Sequence, residues 1–185
     1  MWILKPYHII KYNRTLTNRV LFYYGENMQK LPIEFKPIDK KDLPDLLEIK
    51  YKLIKDADHL VYVANMLHPA IGNVIKSMLA YSTWKFEDYE LCYLDVKVRD
   101  LKKGGSGDWY NNYHYDWVRD YDHPNKHETH LIYSNIFGTH YKEDGVVKQC
   151  EPNRVYMYGR ELHCSPIVTE DCRRVLIRLS FVDKQ

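Results

Sequence analysis

The chain has 185 residues, 27 of them basic and 25 acidic, for a formal net charge of +2. At ~150 residues per domain this reads as a single domain, 1–185, long enough to bury a core without disulfide or metal staples, and the near balance of charge argues against a protein that grips duplex nucleic acid through its phosphates. No window approaches the ~18 consecutive apolar residues of a membrane helix, and the stretch from Met1 to Tyr12 lacks the apolar run and small-residue cleavage site of a signal peptide.

The first half reads as helical. Lys41 to Asp56 is expected to be a helix, with Asp42 able to cap, Pro44 in the first turn, and Leu46, Leu47, Leu53 and Ile54 along one stripe. In Pro69 to Tyr81, residues Ile71, Val74, Ile75, Met78 and Leu79 recur at helical spacing, so one face is apolar. The second half reads as strands. Between Glu90 and Asp100, Cys92, Leu94, Val96 and Val98 alternate with Tyr93, Asp95, Lys97 and Arg99, the period of a half-buried strand. A glycine-rich turn follows, with Gly104, Gly105 and Gly107. Trp109 to Trp117, His130 to Phe137, Arg154 to Arg160 and Arg173 to Phe181 are further strand candidates. Turn signals separate them at Asp122-His123-Pro124-Asn125, Glu143-Asp144-Gly145 and Glu151-Pro152-Asn153. The chain has 17 tyrosines, a residue that favours strands. Helices followed by a run of short strands give a mainly β fold: a jelly-roll or cupin-like barrel, in which 1–88 is a helical support region and 89–185 the core. Cys92, Cys150, Cys164 and Cys172 show no CxxC spacing, which suits free thiols in a reducing, cytoplasmic setting.

The chemistry concentrates after the glycine-rich turn. In His114-Tyr115-Asp116 the imidazole and the carboxylate stand at i and i+2, so on a strand they point to one face. His163 ends another strand candidate. Two histidines and one carboxylate are the ligand set of a non-haem Fe(II) site with open positions. After His163 comes a turn and then Arg173 to Phe181, a strand whose arginines can offer a fork to a carboxylate. A second histidine group, His123, His127 and His130, lies in a polar stretch and reads as a loop over the mouth of the metal site rather than as a separate site.

With those residues in view, the region from Tyr89 to Asp183 resembles the Fe(II)/2-oxoglutarate-dependent dioxygenase superfamily, and within it the prolyl-hydroxylase-like branch. The resemblance runs through Tyr110 and Tyr113, His114 and Asp116, the strand His130-Leu131-Ile132-Tyr133-Ser134-Asn135, Pro152 to Tyr158, the His163 segment and the final strand. It implies a double-stranded β-helix buttressed by the N-terminal helices. It implies that His114, Asp116 and His163 hold Fe(II), and that 2-oxoglutarate and O2 are cosubstrates. Arg174 would bind the distal carboxylate of 2-oxoglutarate, with Tyr133 matching a family tyrosine that bonds the same group. Arg178 and Ser180, as an Arg-x-Ser pair, offer a competing match. Arg174 and Arg178 share a face and Arg173 points the other way. Where many relatives carry a glycine pair after the Tyr133 strand, this chain has only Asp144-Gly145.

The function so implied is hydroxylation of a protein side chain, a small molecule or a nucleobase, the first being favoured. Two other readings remain open at this stage: a cupin-like metal protein that does not use 2-oxoglutarate, in which Arg174 and Arg178 have no ligand role, and a binding module that kept the barrel and lost catalysis.

Overall fold

The computed structural model describes residues 28–81, 85–107, 112–115, 128–159 and 161–184. Their nine strands form two antiparallel sheets. Along the chain come β1 (Gln29–Glu34), β2 (Leu47–Ile54), α1 (Ala57–Leu67), α2 (Pro69–Leu79), β3 (Tyr89–Leu101), β4 (Glu128–Ser134), β5 (His140–Glu143), β6 (Val146–Gln149), β7 (Arg154–Tyr158), β8 (His163–Cys164) and β9 (Cys172–Asp183). The large sheet has the order β1-β7-β4-β9-β3-β2 and the small one β6-β5-β8. The architecture is a jelly roll with a helical pair packed on one side.

The expected helix over Lys41 to Asp56 is not formed. Residues 40–42 make a short 3-10 turn and Leu47–Ile54 is strand β2, paired with β3. The segment Leu47-Glu48-Ile49-Lys50 has period two as well as a helix-like stripe, and pairing with the long β3 selects the strand. A register shift between Ile49 and Lys52 turns the chain over, so Ile54 is buried and Leu53 exposed. With β1 and β2 both in the large sheet, the N-terminal part supplies strands as well as helices.

Helix α1 lies where no helix was expected. Asp56 accepts from the His59 backbone N–H at 2.7 Å, and His59 Nδ1 accepts from the Lys55 N–H at 3.1 Å, a reciprocal cap. Leu60, Val63 and Ala64 face inward from it. Helix α2 follows at once. His68 ends α1 and caps α2, its Nδ1 accepting from the Ala70 N–H, and Pro69 fits the first turn where no N–H is needed. Ile71, Val74, Ile75 and Met78 are buried, as their spacing predicts.

Strand β3 shows why the molecule has two interiors. Cys92 through Val96 are all buried, without alternation, because both faces of the large sheet are covered. On one face Cys92, Leu94, Val96 and Val98 join Leu131, Tyr133, Val155, Val175, Ile177, Leu179 and Phe181 against the helices. Fully burying a side chain of this size contributes ~1.5–3 kcal/mol each. On the other face Ile132, Tyr156, Tyr158 and Leu176 pack with Tyr141 and Cys150 from the small-sheet side. The small sheet is hinged by the expected Asp144-Gly145 turn, with φ of 51° and 77°, a hairpin of the kind that needs left-handed residues at both central positions. All four cysteines are unbridged. Among the described residues no helix is long and apolar enough to cross a membrane.

Candidate active site between the two sheets

The inner face of the large sheet is polar where it meets β8. Antiparallel register sets Tyr93, Ser180, His130 and Tyr158 in one row across β3, β9, β4 and β7. Asp95, Arg178, Ile132 and Tyr156 form the next row. Alternation along β9 then puts Arg174, Arg178 and Ser180 on this face and Val175, Ile177 and Leu179 on the helix side.

His114 and His163 come together on the small sheet. The His114 N–H donates to the His163 carbonyl at 2.8 Å, and the His163 N–H returns the bond at 2.9 Å. Directly opposed residues present their side chains to the same face, and the two rings lie 4.7 Å apart. Each ring is oriented the same way. His114 Nδ1 lies 3.0 Å from the Asn112 carbonyl and His163 Nδ1 lies 2.8 Å from the Glu161 carbonyl. A carbonyl only accepts, so each Nδ1 carries the proton and each lone pair is on Nε2. That is the tautomer a metal ligand requires, with the outer nitrogen already held. Tyr158 packs edge-on to the His163 ring at 5.1 Å, and His130 stacks on Tyr158 at 4.9 Å.

Asp116, the expected third ligand, lies outside the described residues, as do Trp109 to Asn111, Trp117, Tyr121, the turn at 122–125, His123 and His127. Among the described residues no group of three His, Cys, Asp or Glu side chains converges as a metal site. The histidine pair alone fits such a group, by donor type, tautomer and mutual approach. His130 is not part of a loop. It is a buried residue of β4, its Nδ1 2.9 Å from Ser180 Oγ and its Nε2 3.5 Å from Glu128 Oε2.

Arg174 is 4% exposed. Its Nε donates to the Phe137 carbonyl at 3.0 Å, Nη1 to Ser165 Oγ at 3.4 Å and Nη2 to Ser134 Oγ at 3.1 Å. Phe137 has φ of 48°, a region that costs a bulky residue ~1–3 kcal/mol, and in that conformation its carbonyl reaches the guanidinium. Gly107 closes the other side: a Cβ there would stand 2.8 Å from Arg174 Nη1 and 2.9 Å from Ser165 Oγ. Ser165 is two residues from His163, so Arg174 bonds to the segment that carries this histidine.

The other residues marked by the sequence are held elsewhere. Arg178 donates from Nη2 and Nε to Asp95 Oδ2 at 2.9 and 3.1 Å. Ser180 is engaged with His130. Arg173 points outward and pairs with Asp100 at 2.7 Å. Tyr133 is on the opposite face of the sheet from Arg174. It packs edge-on to Phe35 and donates to Asn153 Oδ1 at 3.1 Å, and burial pushes its phenol up to about 12. It does not reach the arginine. Tyr113 and Cys164 hydrogen-bond on the far side of the small sheet, and Lys142 Nζ sits 4.3 Å over the Tyr113 ring.

Sequence reasoning passed over Ser134, Ser165, Gly107 and Glu161. Parity was the available signal: Glu161 and Ser165 each lie two residues from His163, and Ser134 shares the phase of His130. Glu161 is buried, and desolvation raises its carboxyl pKa against the opposing effect of the Glu161 and Gly159 N–H groups and of His130 and His163. Its Oε2 has no hydrogen-bond partner among the described residues, a condition that costs about 1–3 kcal/mol.

No known family model and no curated protein matches the chain. Among solved structures, the chain is similar to EvdO2 from Micromonospora carbonacea var. aurantiaca complexed with 2-oxoglutarate, with a TM-score of 0.47 and 15% identity over 75% of this chain and 67% of that one. A second crystal structure of EvdO2 gives a TM-score of 0.47 and 14% identity over the same shares.

Proposed function

We propose that this chain is an Fe(II)- and 2-oxoglutarate-dependent oxygenase that hydroxylates a C–H bond, with His114, His163 and Asp116 as iron ligands and Arg174 as the anchor of the cosubstrate's distal carboxylate. The observation that carries this reading is a pair of opposed imidazoles with Nε2 lone pairs, and a buried guanidinium cradled by Ser134, the Phe137 carbonyl and Ser165, two residues on from His163. A buried cation is expensive to desolvate, and a carboxylate is the ligand that offsets that cost best.

Iron, when bound, supplies the activation of O2 by the electrons of the 2-oxo acid. The chain supplies the rest. The Asn112 and Glu161 carbonyls keep protons off the two Nε2 atoms. Arg174 fixes one end of the cosubstrate, so that its oxo acid end is presented toward the histidines. Ile132, Tyr156 and Leu176, packed on the same face of the large sheet, limit water. Arg178 serves the barrel rather than the cosubstrate, through Asp95. In keeping with the branch that the sequence resembles, a peptidyl side chain is the substrate class to try first.

The test is an anaerobic titration of the metal-free protein with Fe(II) and then 2-oxoglutarate. A visible metal-to-ligand charge-transfer band is expected, together with its loss in His163→Ala. Iron binding without the band would turn the reading to a metal protein of the same fold that does not use 2-oxoglutarate. Failure to bind iron would overturn the ligand assignment.

A further inference from the structure

Arg99 stands directly opposite Arg174 in the register of β3 and β9, so the two side chains leave the sheet on the same face. Like charges in that position repel, and the structure turns them apart. Arg174 bonds to Ser134, Ser165 and the Phe137 carbonyl. Arg99 divides its fork: Nη2 donates to Glu48 Oε2 at 2.5 Å, and Nη1 donates to the Gly107 carbonyl at 2.6 Å. Glu48 belongs to β2, the edge strand of the large sheet. Gly107 is the residue whose backbone lies against Arg174, where a Cβ would meet Nη1 at 2.8 Å. Arg99 therefore ties the edge of the sheet to the wall of the Arg174 cradle.

The ion pair with Glu48 alone does not call for an arginine. Lys50 makes one with the same carboxylate, its Nζ 2.7 Å from Oε1. Bonding a second, divergent acceptor is what the planar fork adds. That acceptor needs the bond. Among the described residues, the pairing of the glycine-rich turn with the segment after Ser165 runs from Gly104, which donates to the Val168 carbonyl, to Ser106, which bridges Ile167. Gly107 follows that pairing, and its carbonyl is held by Arg99.

We propose that Arg99 is a positioning residue for Arg174: it holds the Gly107 backbone against the Arg174 guanidinium, and so keeps that group turned to Ser134 and Ser165 in the pose that receives the distal carboxylate. The inference rests on the proposed 2-oxoglutarate reading for its purpose, but the brace itself exists without iron or cosubstrate.

The experiment compares the full chain with Arg99→Lys, which keeps a charge for Glu48 but not the fork. The first readout is the 15N-labelled Arg174 Nε–H signal of the metal-free protein, assigned by its loss in Arg174→Lys. In Arg99→Lys it is expected to shift and to exchange faster with water. The second is the charge-transfer band under anaerobic Fe(II), titrated with 2-oxoglutarate and with 2-oxobutyrate, which lacks the distal carboxylate. Arg99→Lys should weaken 2-oxoglutarate about threefold to tenfold, the scale of one hydrogen bond, and leave 2-oxobutyrate unchanged. A wild-type Arg174 signal with wild-type 2-oxoglutarate affinity overturns the inference. So does an equal loss for both acids, which is the mark of a general structural role. Should Arg99→Lys not fold, Glu48→Gln loosens the outer end of Arg99 without touching the cradle. The same selective change, of smaller size, is expected there, and its absence overturns the proposal. If the wild type gives no band with either acid, the 2-oxoglutarate reading fails, and the Arg174 signal alone decides the brace: a change in Arg99→Lys upholds it and no change overturns it.

Discussion

Arg178 and Asp95 meet across β9 and β3, the guanidinium 2.9 Å from the carboxylate, with side-chain exposures of 14% and 3%. The pair separates two arginines that occupy equivalent faces of one strand. Arg178 is tied to its neighbour by an ion pair, whereas Arg174 is cradled by hydroxyls and a carbonyl. The Arg-x-Ser match at Arg178 and Ser180 is thus occupied by barrel structure.

Removing one partner of a buried ion pair leaves the other charge uncompensated, at about 3 kcal/mol or more. Arg178→Ala is expected to lower the free energy of unfolding by that order, read from a lower denaturant midpoint at unchanged slope. The double variant with Asp95→Asn should lose less than the two single losses combined. Binding of 2-oxoglutarate, followed by the charge-transfer band, should change by no more than about threefold.

Arg174→Lys should behave in the opposite way. The ammonium keeps the charge but not the fork that reaches Ser134, Ser165 and the incoming carboxylate. A loss of 2-oxoglutarate affinity of about tenfold to a hundredfold is expected, the equivalent of one charge-assisted hydrogen bond. Iron affinity measured in the absence of 2-oxoglutarate should hold.

Gly107→Ala tests the wall of that cradle without touching a polar group. The new Cβ would fall within 3 Å of Arg174 Nη1 and Ser165 Oγ, so the guanidinium must shift. Weaker 2-oxoglutarate binding with a nearly unchanged melting temperature is expected. An unchanged affinity would mean that the guanidinium does not touch the cosubstrate.

Tyr133→Phe should leave 2-oxoglutarate affinity alone and cost about 1 kcal/mol, the scale of one neutral hydrogen bond. The bond lost is the one to Asn153, whose N–H also donates to the Ser134 carbonyl. A selective loss of cosubstrate affinity would instead restore the role that the resemblance implies.

At the outer edge, Glu48 is held down to about 2 from 4.5 by hydrogen bonds from Lys50 and Arg99. A carboxylate with a depressed folded pKa stabilises the fold above its unfolded value and loses that contribution as pH falls toward the folded one. Glu48→Gln should therefore melt lower than the wild type at pH 6, and the gap should close between about pH 4.5 and pH 2. The group is partly exposed, so the gap should be small and shrink with salt.

Much of this was legible in the sequence because local period and burial agree there. Helix α2, strands β3, β7 and β9, and the Asp144-Gly145 turn all carry unambiguous spacing or turn chemistry, whereas β5 and β6 on either side of that turn read as loop. The segment 47–54 supports both periods, and only pairing with β3, some forty residues away in sequence, decides it. Helix α1 did carry a start signal in Asp56 and a stripe in Leu60, Val63 and Ala64, hidden by the helix expected just before it. At the site, the phase of β9 is readable, and it places Arg174 and Arg178 together. That Asp95 stands opposite Arg178 depends on cross-strand register, which a single sequence does not display. Tyr133 shows the reverse: one position from Ser134, it must face the other way, and parity alone argues against a role beside Arg174.

The backbone pairing of His114 with His163 makes the separation of the two rings a property of the main chain. A cysteine or a carboxylate placed at either position would inherit the same spacing and direction. Under the proposed metal site, the pair is in that sense a socket, whose preference among metals would follow ligand softness while the frame around it stays as it is.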